Sequence, residues 1–209
     1  MKKQDIFKYK FESFDNEYNF YVNNTNKLAY EGILFDDSHS KILIGPKKAG
    51  KTFLSNLWKI KNKALIYNNN MKEILFNKKN VLIEDIDLSL NQENTFHIIN
   101  HCKNLNLKIL ITSGMNVNEI NISLPDLSSR LKLFKQLIIK QPDDDMLLNI
   151  LTKLFTEKQF IINSTEIFDY ILNRANRSYD NIIKIVNDID TLSLEKKRQL
   201  TIPLIKEIL

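Results

Sequence analysis

The sequence predicts an α/β fold: a five-stranded parallel sheet covered on both faces, followed by an all-helical C-terminal part. Three observations carry this. Five short apolar runs are spread through the first two thirds of the chain, at 41–45 (KILIG), 64–67 (ALIY), 81–86 (VLIEDI), 108–112 (KILIT) and 136–140 (QLIIK). The segments between several of them are long enough for helices. After Gln141-Pro142 only helical spacing remains.

Each element has a local reason. The five runs are rich in Ile and Leu, bounded by Asn, Gly, Pro or charge, and apolar without alternation, as expected of strands buried on both faces. Connecting helices are expected over 51–61, 92–105 and 127–134. Pro142 followed by Asp143, Asp144 and Asp145 reads as a helix start, with acids in the first turn. Helices are expected over 146–158, 164–175, 179–191 and 202–209. The organisation expected is therefore a tail over 1–10, an α/β core over 11–142 and a helical lid over 143–209.

Composition narrows the class. A chain of 209 residues with 43% hydrophobic side chains can bury a core without staples. One cysteine, Cys102, excludes a disulfide framework or a cysteine zinc cluster, and three histidines leave little for a histidine metal site. No apolar run approaches the roughly 20 residues of a membrane span. The N-terminus has two lysines with no apolar stretch after them, so no signal peptide is expected. The expected compartment is the cytoplasm, with no membrane partner. The net charge of +5 is mild, but residues 1–142 carry 21 basic and 14 acidic side chains against 9 and 11 in 143–209. The basic excess lies in the α/β part, where a phosphate ligand would bind. Against 26 lysines there are four arginines, Arg130, Arg174, Arg177 and Arg198. In a lysine-rich background a retained guanidinium draws interest for its planar fork.

Gly45-Pro46-Lys47-Lys48-Ala49-Gly50-Lys51-Thr52 fits the phosphate-loop pattern G-x-x-x-x-G-K-[ST] and sits between an expected strand and an expected helix. Its amides and the helix N-terminus would face the phosphates, Lys51 would reach the β- and γ-phosphates, and the Thr52 hydroxyl would bind magnesium. The acids Glu84 and Asp85 end the apolar run 81–86. They are expected at the C-terminal edge of the sheet beside the loop, Glu84 toward magnesium and Asp85 toward the attacking water. Asp is commoner at the first position, and the extra methylene of Glu84 displaces the carboxylate. ATP or ADP with magnesium is the ligand these residues suit.

Further stretches resemble the DnaA-related AAA+ ATPases, and most closely their short, Hda-type members. Leu124-Pro-Asp-Leu-Ser-Ser-Arg130-Leu131 is similar to the family's LPDLxSRL segment. Lys108–Gly114 is similar to its sensor 1 strand, with Gly114 where Asp is common. Residues 198–209 (RQLTIPLIKEIL) resemble the closing segment of Hda-type proteins, and residues 11–29 resemble the entry to the adenine pocket. The resemblance spans nearly the whole chain. It implies an AAA+ P-loop core with a helical lid.

It also implies roles. Arg130 would be an arginine finger acting in trans, Ser113, with Thr112, would orient the catalytic water, and Arg177 would contact the phosphates from the lid. Tyr18, Phe20 and Tyr21 would either pack near adenine or belong to the core. Gln4, Phe7 and Tyr9 form a degenerate version of the family's clamp-docking peptide. The partners implied are a DnaA-type initiator and the DNA polymerase sliding clamp, which would place the protein at the nucleoid, and a homodimer remains open. No residues follow the lid to form a DNA-binding domain, so sequence-specific DNA binding is not expected. The function implied is negative regulation of replication initiation, with weak turnover of its own. An autonomous ATPase or helicase-loader-like remodelling protein is the alternative, since the phosphate loop and its acids serve both.

Overall fold

The computed structural model describes residues 20–88, 91–162 and 164–209. Five parallel strands form one sheet in the order β2-β3-β4-β1-β5, with β1 Ser40–Ile44, β2 Leu65–Ile66, β3 Val81–Ile83, β4 Ile109–Ser113 and β5 Lys135–Ile138. All five lie where the apolar runs predict them. Their registers place Ile42 beside Ile111 and Ile111 beside Ile83. Because side chains alternate along a strand, the β-branched residues Ile42, Ile44, Val81, Ile83, Ile109 and Ile111 share one core cluster. Leu43, Leu82, Leu110 and Leu137 share the other.

Helices cover both faces. On the isoleucine face lie α3 (Met71–Asn77), α4 (Gln92–Asn104) and α5 (Pro125–Lys132), contributing Ile74, Ile98, Ile99, Leu127 and Leu131. On the leucine face lie α1 (Lys27–Leu34) and α2 (Lys51–Asn62), contributing Ala29, Ile33, Leu54, Leu57 and Trp58. The helices α1 and α3 are additions to the sequence-based expectation. Both are short, with eight and seven residues, too few for helical periodicity to declare itself.

The C-terminal part is helical: α6 Asp144–Glu157, α7 Glu166–Leu172, α8 Tyr179–Lys196 and the short α9 Ile202–Ile205. Its own core gathers Leu147, Leu151, Phe155, Ile171, Ile182, Ile189 and Leu200. Asp143 caps α6, its carboxylate accepting from the Met146 amide at 2.8 Å, and Ser178 caps α8 through the Asn181 amide. Two lid residues, Met146 and Tyr179, belong to the leucine-face core instead. The Tyr179 hydroxyl donates to the Lys140 carbonyl at 3.3 Å and lies 3.5 Å from the Thr25 hydroxyl. Burial raises the pKa of this phenol, keeping it a donor. The lid is thereby anchored to the core.

Candidate nucleotide site

The phosphate loop leaves the C-terminal end of β1, the edge at which open parallel sheets bind ligands. Its backbone is fixed by few residues. The Ala49 amide donates to the Pro46 carbonyl at 3.2 Å, Lys48 adopts φ 65°, and Gly50 adopts φ 92°. Gly50 is required twice: a side chain is strained at that φ, and a Cβ there would lie 2.6 Å from the Phe20 ring. Gly50 is also the N-cap of α2 and supplies no side-chain acceptor. The first amides of α2 therefore keep their donors for an anion. The Lys51 ammonium donates to the loop carbonyls of Gly45 at 2.9 Å and Pro46 at 3.2 Å, which fixes it over the loop.

Beside the loop lies a cavity of about 430 Å³ between core and lid. Its core wall includes Phe20, Lys48, Gly50 and Phe53, and its lid wall includes Asn149 and Ile150. Phe20 stacks on Phe53 at 4.9 Å between centroids and on Tyr30 at 5.9 Å. Of the aromatic residues singled out in the sequence, Phe20 thus joins a stacked core cluster that also forms a pocket wall. Tyr21 reaches the lid, its hydroxyl donating to Asp145 at 2.7 Å, and that carboxylate raises the phenol's pKa. Tyr18 lies outside the described residues.

The acids fall at the end of β3. Glu84 Oε1 accepts from the Ser55 hydroxyl at 3.0 Å, which ties it to α2 one turn after Lys51 and Thr52. Asp85 adopts φ 46°, a left-handed conformation that short polar side chains tolerate. Its amide donates to the Thr112 hydroxyl at 2.9 Å. Asp87 accepts from the Gly114 amide at 2.9 Å, and a Cβ on Gly114 would lie 2.8 Å from the other Asp87 oxygen. Glycine therefore lets the β3 and β4 ends close on each other. Ser113 differs from expectation. It is fully buried, its hydroxyl donating to the Met115 carbonyl at 2.7 Å and accepting from the Met115 amide at 3.0 Å. It and Thr112 hold the turns after β4 and β3, a task that strand position alone did not reveal.

Oxygen donors at Thr52 and Glu84 suit magnesium, a hard cation. Among the described residues no cluster of three His, Cys, Asp or Glu could hold a metal. A magnesium ion here would thus draw most of its ligands from phosphates and water, its usual manner in phosphate sites.

The lid meets the loop at the start of α8. Lys47 pairs with Asp180 at 3.1 Å, and Arg177 pairs with Asp144 at 2.6 Å. Arg177 stands just outside the helix that Lys47 touches, while its guanidinium is turned to the lid's own acid. Arg130 lies elsewhere. It lines a second cavity, about 240 Å³, with His39, Ser40, Lys103, Leu107 and Leu133. Ser40 begins β1 and Ile44 ends it, so Arg130 and the phosphate loop lie toward opposite ends of that strand. The Arg130 guanidinium rests over the Phe96 ring, 4.9 Å from its centroid. Gln4, Phe7 and Tyr9 lie outside the described residues.

Comparison with known proteins agrees with this architecture. The family model of the Hda lid domain matches residues 144–209. An uncharacterised protein of Haemophilus influenzae is 25% identical over 213 residues, covering 91% of either chain. Domain III of the Thermotoga maritima replication initiation protein DnaA matches with a TM-score of 0.74 at 16% identity, over 92% of this chain and 94% of that one. AMPPCP-bound DnaA from Aquifex aeolicus matches with a TM-score of 0.66 at 19% identity, over 87% and 68%. The longer solved chains are spanned over about two thirds of their length. The chain therefore has the AAA+ fold of these structures, a five-stranded parallel sheet followed by a helical lid. Its C-terminal part, residues 144–209, is an Hda-type lid domain. No helix among the described residues is long and apolar enough to cross a membrane.

Proposed function

We propose that the protein regulates replication initiation: it binds adenine nucleotide, docks on the DNA-loaded sliding clamp and stimulates hydrolysis of ATP held by a DnaA-type initiator. The observation carrying this reading is the separation of two phosphate-directed features. The loop follows the C-terminal end of β1, and Arg130 lines a cavity with Ser40 at the N-terminal end of that strand. A guanidinium so placed is turned from its own chain's nucleotide and suits one held by a neighbour. The Hda lid match and the DnaA-like fold favour an initiator as that neighbour.

In this reading residues 45–52 cradle the phosphates, and the cavity beside Phe20 and Phe53 takes the nucleoside. Magnesium, bound through Thr52 and Glu84, would supply charge neutralisation at the phosphates. Asp85, in the turn after β3, would orient the attacking water. Arg177 exchanges Asp144 for phosphate as the lid closes. The clamp contact rests on Gln4, Phe7 and Tyr9 and is carried by the sequence alone.

Nucleotide affinity is expected to depend on Lys51. Lys51→Ala removes a charge-assisted contact of about 1.5–3 kcal/mol, so ADP and ATP should bind roughly tenfold or more weakly in calorimetric titration. Unchanged affinity would exclude the phosphate loop as the site. The function itself is tested by ATP turnover of the chain alone, and then with initiator, clamp and DNA. Alone, turnover should stay below about 1 s⁻¹, and conversion of initiator-bound ATP should rise only in the complete mixture. Faster turnover by the isolated chain would identify an autonomous motor instead.

A further inference from the structure

We infer that Ser55 is a positioning residue for Glu84, and that this pair sets how tightly the nucleotide site responds to magnesium. The inference rests on the nucleotide-binding reading above. Ser55 lies on the inner face of α2 at 0% exposure, among Leu54, Leu57 and Trp58 in the helix's buried row. A buried serine hydroxyl must find a partner. Here it lies 3.0 Å from Glu84 Oε1 and 3.1 Å from the Thr52 carbonyl. One proton thus has two acceptors. The bond to the carbonyl three residues back is open to many helical serines. The bond to a carboxylate 29 residues away is particular to this site and, being charge-assisted, is the stronger.

Glu84 explains why the partner is needed. The glutamate reaches about 1.5 Å further than an aspartate would and has one more torsion to immobilise. Unanchored, such a carboxylate samples several rotamers. Ser55 holds Oε1 in the turn next to Thr52, and Oε2 is the oxygen left to the cation or its water. The longer acid and the serine on α2 therefore work as a unit, with the hydroxyl supplying the order that a shorter side chain would have from its length.

The test uses the full chain and ADP, titrated calorimetrically over a range of magnesium concentrations and in EDTA. Ser55→Ala should raise the magnesium concentration at half effect by roughly tenfold, with ADP affinity in EDTA unchanged. Ser55→Thr, which keeps the hydroxyl, should restore the response. In the background of Glu84→Asp, whose carboxylate falls short of the hydroxyl, Ser55→Ala should add nothing. The inference is overturned if Ser55→Ala keeps the wild-type magnesium midpoint, if it weakens ADP equally in EDTA, or if its effect is undiminished beside Glu84→Asp. If ADP affinity of the unaltered chain ignores magnesium, the metal reading falls with it, while the effect of Lys51→Ala on ADP in EDTA still reports on the phosphate loop.

Discussion

Replacing Arg130 by alanine should abolish stimulation of initiator-bound ATP hydrolysis and leave the fold and nucleotide binding intact. A guanidinium bridges two phosphate oxygens as charge builds between them, which the point charge of lysine does not reproduce, so Arg130→Lys should lose most of the stimulation too. Fingers supplied in trans are worth about 10³–10⁵ in rate. Arg130 is only half-buried and rests on the Phe96 ring. Its loss should therefore cost about 1 kcal/mol or less of stability. The measurement is conversion of initiator-bound ATP to ADP in a mixture of initiator, clamp, DNA and variant, beside thermal unfolding of the variant alone. Full stimulation by a folded Arg130→Ala chain would end the trans mechanism.

The largest effect on stability is expected at Lys41. Although it is a lysine on β1, it is buried, with only 1% of the residue exposed. It donates to the Gly32 carbonyl at 2.9 Å and to the Asp36 carbonyl, and it pairs with the Asp36 carboxylate at 3.4 Å. Together with Lys61, which reaches the Leu34 carbonyl, it satisfies the C-terminal carbonyls of α1. Lys41→Ala removes the packed stem and strands those acceptors, at a cost of about 1–3 kcal/mol for each buried group left unpaired; the Asp36 carboxylate keeps Lys135. Lys41→Met keeps the stem and should cost less. Denaturant midpoints of the two variants separate the contributions. Beside Asp36 the Lys135 ammonium, then Ser38, holds its carboxyl well below the usual carboxylate range. A carboxylate depressed in the folded state adds stability above its unfolded pKa of about 3.9, lost as pH falls below it. Acid should therefore lower the unfolding midpoint less in Asp36→Asn than in the unaltered chain.

The five strands and their parallel arrangement were legible because each carries a short run rich in Ile and Leu, the pattern of strands covered on both faces, although the edge strand β5 is exposed at three of its four residues. The turn between β1 and α2 was legible because the backbone at Gly50 dictates glycine. The buried lysine was not: Lys41 reads as a strand-bounding charge, and only the α1 carbonyls explain its position. Ser55 carries no signal either, since its partner is 29 residues distant and no spacing rule links them. Ser113 was misleading because sequence locates a hydroxyl without saying whether it faces a ligand or closes its own turn. The lid pairs Lys47–Asp180 and Arg177–Asp144 likewise needed the tertiary arrangement.

Those lid contacts are of two physical kinds. Tyr179 and Met146 are buried in the core, and their hold is insensitive to ions. The Lys47–Asp180 pair at the loop is largely exposed, and its attraction fades as the screening length shrinks from about 10 Å at 0.1 M to 3 Å at 1 M salt. Rising ionic strength should therefore weaken the contact between lid and loop, by about 1 kcal/mol or less, and leave the buried attachment of the lid to the core in place.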